Sequence, residues 1–177
     1  MVAWQIRNER AQDADAVEKL VTLGFGAGRY AKTAYRLREG VKPEARLCFV
    51  AEENKKLVGA VRFWPILVGG HKTLLLGPLA VQPELRGKGI GIALMQKGIE
   101  EAKLLGFQTI ILVGDESYYG RAGFAKLKPG QVRFPGPVDP ERILGIALQD
   151  GALEKLEGAV ARAAIDEPVS ANAAPLG

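Results

Sequence analysis

The sequence holds one cysteine, one histidine, two methionines and two tryptophans among 177 residues. Cys48 has no partner for an internal disulfide, so no cystine framework holds the fold. It lies in the apolar run Leu47-Cys48-Phe49-Val50-Ala51, which reads as a buried structural thiol rather than a nucleophile. With His71 as the single imidazole, a Cys/His zinc site is not expected. His71 follows Gly69-Gly70, a hairpin turn signal, and its ring reads as solvated. No block of like charges occurs. The 24 basic and 20 acidic residues leave a net charge of +4, spread along the chain, so no nucleic-acid partner is expected. The first ten residues contain no long apolar stretch, and the expectation is no secretory signal, no membrane span and a cytoplasmic protein. There is no internal repeat.

What is present is a 47% hydrophobic composition, enough for a sizeable core in one domain. The most informative stretch runs from Leu74 to Gly91, LLLGPLAVQPELRGKGIG. Leu74, Leu75, Leu76, Leu79, Ala80 and Val81 read as a strand buried on both faces. Gly77-Pro78 interrupts it, which predicts a bulge or a close backbone approach. Gln82-Pro83-Glu84 turns the chain, and Arg86-Gly87-Lys88-Gly89-Ile90-Gly91 leads into a helical pattern. The first N–H groups of a helix have no intrahelical partner and carry partial positive charge. Glycines there remove side chains that would block a bulky anion, and Arg86 and Lys88 add formal charge. Strand, turn and bare helix N-terminus predict a phosphate or pyrophosphate site. The spacing fits neither G-x-x-x-x-G-K-[ST] nor G-x-G-x-x-G.

Arg86-x-x-Gly89-x-Gly91, preceded by Leu79-Ala80-Val81-x-Pro83, resembles the acetyl-CoA-binding motif of the GNAT superfamily of N-acetyltransferases. Tyr118-Tyr119-Gly120-Arg121-Ala122-Gly123-Phe124 is similar to the Y-x-x-x-G-F segment after that family's fifth strand. The two motifs come in the family's order, and the resemblance covers about residues 4 to 128. It implies an α/β fold of the α+β type: a mixed, mostly antiparallel, twisted sheet flanked by helices, with a splayed parallel pair at its centre. It also implies acetyl-CoA as cosubstrate, a primary amine as acceptor, and leaves a homodimer open. The single domain is expected over residues 1–165, with a weakly ordered tail over 166–177.

The local patterns fill in this frame. Trp4 to Arg7 reads as a strand, and Asp13 to Leu23 as a helix capped by Asp13 or Asp15, with Glu18 pairing back to Asp15. Arg29 to Glu39 reads as a second helix whose basic residues are either a solvated face or, as the resemblance suggests, the rim of an acceptor site. Residues 47 to 82 read as an antiparallel meander. The stripe Gly91, Leu94, Met95, Gly98, Ile99, Ala102, Leu105 marks a helix from Gly89, stopped by Gly106. Thr109 to Val113 is a β-branched strand, expected parallel to the central one. Phe124 to Leu127 starts another strand, Ile143 to Leu148 reads as the last strand, and Ala152 to Ala164 has helix-forming composition.

By resemblance, the pyrophosphate sits on the amides of Arg86, Gly87, Lys88, Gly89, Ile90 and Gly91. The pantetheine arm and acetyl carbonyl lie along the backbone of Leu79, Ala80 and Val81, whose side chains read as core. The side chains of Arg86 and Lys88 have a solvated reading beside the phosphate one. Tyr119 matches the family's general-acid tyrosine, with ring packing as the alternative and Tyr118 as the weaker candidate. Many family members place a Glu base and an Asn before this tyrosine. Here only Gly114-Asp115-Glu116-Ser117 stands there, so the base is left open: Asp115 or Glu116, with helix capping as the ordinary reading of Asp115, or a water chain, or an amine that arrives neutral. The other functions weighed are a non-catalytic acyl-CoA-binding module and an acyltransferase with a larger acyl donor.

Overall fold

The computed structural model describes residues 3–25 and 36–163. Most of the expected helix over Arg29 to Glu39, and the whole expected tail from Asp166, lie outside the described residues. Strand β1 is Gln5–Asn8, and helix α1 is Ala14–Phe25. Asp13 closes the 3-10 turn Ala11–Asp13 that leads into α1, in place of the expected Asp15–Glu18 pair. Its carboxylate accepts the Arg10 N–H at 2.7 Å and two bonds from the Arg7 guanidinium. Those bonds hold the Asp13 carboxyl below the usual carboxylate range. Glu18 turns away to Arg62, 3.6 Å distant.

The meander is β2 (Cys48–Glu53), β3 (Lys56–Val68) and β4 (His71–Val81), all antiparallel. Its two-residue turns, Asn54-Lys55 and Gly69-Gly70, all have positive φ, as twisted hairpins require. A two-residue loop makes Val68 and His71 a hydrogen-bonded pair, so alternate residues of β3, Pro65 among them, aim their nitrogens away from β4. That is why a proline fits inside this strand. After β4 come α2 (Ile90–Leu104), β5 (Thr109–Val113) and the one-turn α3 (Glu116–Tyr119). The chain then forms β6 (Ala125–Lys126), β7 (Val132–Arg133), β8 (Ile143–Ala147), α4 (Ala152–Lys155) and β9 (Gly158–Arg162).

Among the described residues, the sheet has the order β1-β2-β3-β4-β5-β8-β6, with β9 pairing both β3 and β7. Pairing is antiparallel except for β4 with β5 and β7 with β9. The mixed, mostly antiparallel sheet with a central parallel pair is as the resemblance implied. Alternation along the strands separates two cores. On one face α2 packs Leu94 and Met95 over Phe49, Val61 and Phe63. On the other, Val17, Leu20 and Val21 of α1 cover Val50, Ala60 and Ala80. Cys48 is buried, and burial pushes its thiol up to about 12, while His71 is exposed. Among the described residues no helix is long and apolar enough to cross a membrane.

The end of the chain differs from the sequence reading. The strand over Ile143 to Ala147 is not the last, and helix α4 makes a single turn before β9. The cause is tertiary. Strand β3 overruns β2, and its free edge at Ile66–Val68 is taken by Val160–Arg162. Leu156 and Val160 then bury their side chains in a further core cluster with Ile66, Val68 and Leu75. The Gln131 amide donates to the carbonyls of Leu153 and Leu156, ending the helical turn.

Helix α2 comes close to the sheet because Gly98 has no side chain. A Cβ there would overlap the ring of Phe63, which is fully buried. On an exposed helix Gly→Ala stabilises by about 1 kcal/mol. At this site overpacking dominates, and Gly98→Ala is expected to lower stability by about 1–3 kcal/mol, read as a lower urea midpoint at unchanged m-value.

Candidate active site

The site begins where β4 leaves β5. The two strands pair only at Leu74 with Ile110 and Leu75 with Ile111. Beyond that, β4 carries one extra residue relative to β3: Val61 faces Leu79, but Phe63 faces Leu76. Gly77-Pro78 is therefore a bulge opposite Arg62, as the sequence predicted. The parted strands open a cavity of about 870 Å³, within the usual range for small-molecule sites.

Backbone alternation decides which amides look into it. Gln82 donates to the Val58 carbonyl, which makes Gln82–Val58 and Ala80–Ala60 the hydrogen-bonded pairs with β3. The N–H groups of Leu79 and Val81 therefore face the cavity. That of Ala80 is directed to β3, and its side chain is core beneath α1. Of the three residues expected along the pantetheine, two offer amides to the cleft and Ala80 does not.

At the mouth, the first intrahelical bond of α2 runs from Ala93 N–H to Gly89 O. The N–H groups just before it have no helical partner. Gly87 and Gly89 have φ of +83° and +89°, and a Cβ on either would meet nothing within 4 Å. Their absent side chains leave an open anion-sized approach. Gly91 has a different reason. It is buried, and a Cβ there would overlap the Tyr118 hydroxyl. Ile90 buries its side chain in the core while its backbone lines the mouth. Arg86 lines the cavity and reaches toward α1, its Nη2 lying 3.6 Å from where a Gly24 Cβ would be. Lys88 is exposed and is not among the lining residues, in keeping with its solvated reading.

The tyrosines stand across the cavity on α3. Their rings meet edge-on, with centroids 5.1 Å apart, and Tyr119 meets Phe124 in the same way. Gly114 is the seat of the Tyr119 ring, since a Cβ there would overlap it. Burial pushes the Tyr119 hydroxyl up to about 12 and raises that of Tyr118 as well. Asp115 opens α3 without a side-chain cap and pairs instead with Arg142 at 3.2 Å. Glu116 accepts the Lys126 N–H. Beyond the bulge, the cavity is walled by Glu18 and Val21 of α1, Arg38, Trp64, Val138 and Asp139. Sequence reasoning had not singled out Trp64 or Gly114. The only signal for either was adjacency, Trp64 to Pro65 in β3 and Gly114 to the end of β5.

A family model described as the acetyltransferase (GNAT) family matches residues 14–127. The chain belongs to this acetyltransferase family. It is 33% identical over 129 residues, 71% of each chain, to the uncharacterised N-acetyltransferase YjhQ of Escherichia coli K12. The crystal structure of the GNAT family N-acetyltransferase YhbS from Escherichia coli, in complex with CoA, matches with a TM-score of 0.79 at 27% identity, covering 92% of this chain and 91% of that one. A GNAT family acetyltransferase from Brucella melitensis, in complex with acetyl-CoA, matches with a TM-score of 0.58 at 29% identity, covering 84% and 97%.

The overlap between Gly91 and the Tyr118 hydroxyl gives a double-mutant test. Gly91→Ala should lower stability by about 1–3 kcal/mol. Adding Tyr118→Phe should recover most of that loss, because the ring carbon beneath the oxygen lies at 3.4 Å, an ordinary contact. Urea denaturation of the four proteins in the cycle measures the coupling.

Proposed function

We propose that this protein transfers an acetyl group from acetyl-CoA directly to a primary amine of a small-molecule or protein acceptor. The observation that carries the reading is the parting of β4 and β5 after Leu75. It joins an exposed helix N-terminus, a row of inward amides and a half-buried phenol in one cleft. The CoA and acetyl-CoA in the two related structures support acetyl-CoA as the cosubstrate.

In this reading the pyrophosphate lies on the amides of Gly87 to Gly91, with Arg86 adding charge at the mouth. The pantetheine follows the inward N–H groups of Val81 and Leu79. The amine nitrogen attacks the thioester carbonyl carbon, and the oxygen takes up negative charge. The Leu79 N–H, beside the bulge, is the donor placed to stabilise that charge, an effect worth about 3 kcal/mol. As the carbon–sulfur bond breaks, Tyr119 gives its phenolic proton to the leaving sulfur and is reprotonated from water. The products are the N-acetylated acceptor and CoA. The nitrogen must also lose a proton. Asp115 is exposed and ion-paired, and Glu116 is held by a backbone N–H, so neither is a ready base. The amine therefore enters neutral, and its proton leaves to water.

An amine panel with acetyl-CoA, scored by CoA release, tests the reading. Turnover of at least one amine is expected, and tight acetyl-CoA binding without any turnover would favour a binding module. Competition among acyl-CoA thioesters would reveal a larger donor. Tyr119→Phe should lower kcat by about 10-fold or more while CoA affinity stays within about twofold. A phenol pushed up to about 12 keeps its proton past the ordinary tyrosine value. Activity should thus not fall as pH rises through about 10, where an unperturbed tyrosine would deprotonate. Gly89→Asp should weaken acetyl-CoA binding more than about tenfold by calorimetry, because it puts a carboxylate where the diphosphate docks.

A further inference from the structure

The bulge that opens the cleft is itself held by a side chain. Strand β3 offers Gly77 and Pro78 only Arg62 as a partner, so the ladder does not fix the Gly77 carbonyl. The indole Nε1–H of Trp64 donates to that carbonyl. The Arg38 guanidinium lies over the ring, with Cζ 5.7 Å from the centroid, and the ring packs against the cluster that contains Ile66 and Leu75. Pro78 has no N–H, so the first donor after the pinned carbonyl is Leu79, whose amide faces the cavity.

We propose that Trp64 is a positioning residue for acetyl transfer: by holding the Gly77 carbonyl, its indole N–H sets the direction in which the Leu79 amide points at the thioester. This rests on reading the cleft as an acetyl-CoA site. The physical reason is geometric. An oxyanion donor is effective within about 2.7–3.1 Å of the developing charge. A misplacement of about 1 Å costs as much as about 10²-fold in rate. A bulge relieved of the Trp64 hydrogen bond has Pro78 as the pivot between a looser carbonyl and the donor. Trp64 touches neither reacting atom and acts through the backbone.

Two replacements remove the N–H: Trp64→Phe, and site-specific 3-benzothienylalanine, which keeps the shape of the indole and serves if the phenylalanine variant folds poorly. The readout is the carbonyl stretch of 13C-labelled acetyl-CoA by difference infrared spectroscopy, which needs no known acceptor. Binding to the unaltered protein should move the band to lower frequency. In both replacements the band should return at least halfway to its free position, with CoA affinity within about twofold. With any amine that the panel turns over, kcat should fall about 10-fold or more at nearly constant KM. A band that shifts equally in all three proteins overturns the assignment, as does one that never shifts despite binding. Failure of the unaltered protein to bind acetyl-CoA overturns the functional reading itself, and with it this role for Trp64.

Discussion

The separation of β4 from β5 is the constraint on which the site depends. A buried strand in mid-sheet normally spends its N–H and C=O groups on two neighbours. Here β4 keeps β3 on one side, except at the Gly77-Pro78 bulge, and gives up β5 after Leu75. The amides of Leu79 and Val81 are left unspent by the ladder, at the wall of a cavity large enough for a cofactor arm. Everything else lies around that gap. Helix α2 begins at its mouth, α3 brings two phenols to its far wall, and α1 and Trp64 border its other end.

The glycines of the cleft show how one residue type serves different needs. Gly87 and Gly89 adopt left-handed φ and leave open space for an anion. Gly91 and Gly114 have ordinary backbones and are small because tyrosines stand against them. The two aromatic rings of α3 are thus seated on the two strand-to-helix junctions they must bridge. Their hydroxyls stay protonated for the same reason that they are well placed, which is burial.

Much of this was readable along the chain. The β2–β3–β4 meander followed from alternation and turn residues, and α2 from its apolar stripe and Gly106. The bulge followed from Gly77-Pro78 in an otherwise buried run. What could not be read depends on distant partners. The β9 strand exists because β3 leaves an edge at Ile66–Val68, and nothing in the Ala-rich segment signals that edge. The inward aim of Leu79 and Val81, and not of Ala80, depends on register with β3. The reason for Gly91 needed the place of Tyr118, and the tether on Gly77 needed the reach of the Trp64 indole. Asp115 suggested a helix cap by type, but Arg142 competes for its carboxylate.

The thirteen-residue strand β3 is also the most hazardous element for a chain at high concentration. A long apolar edge with spare amides is a template for docking another molecule's strand. Its outer lane is closed piece by piece: β2 up to Arg62, β9 over Ile66–Val68. In the gap between them, the Phe63 carbonyl is taken by Glu44 N–H, and Pro65 has no N–H to offer. The strand that carries Trp64 is thereby kept from seeding aggregates, and the late segment that completes the sheet doubles as a guard against self-association.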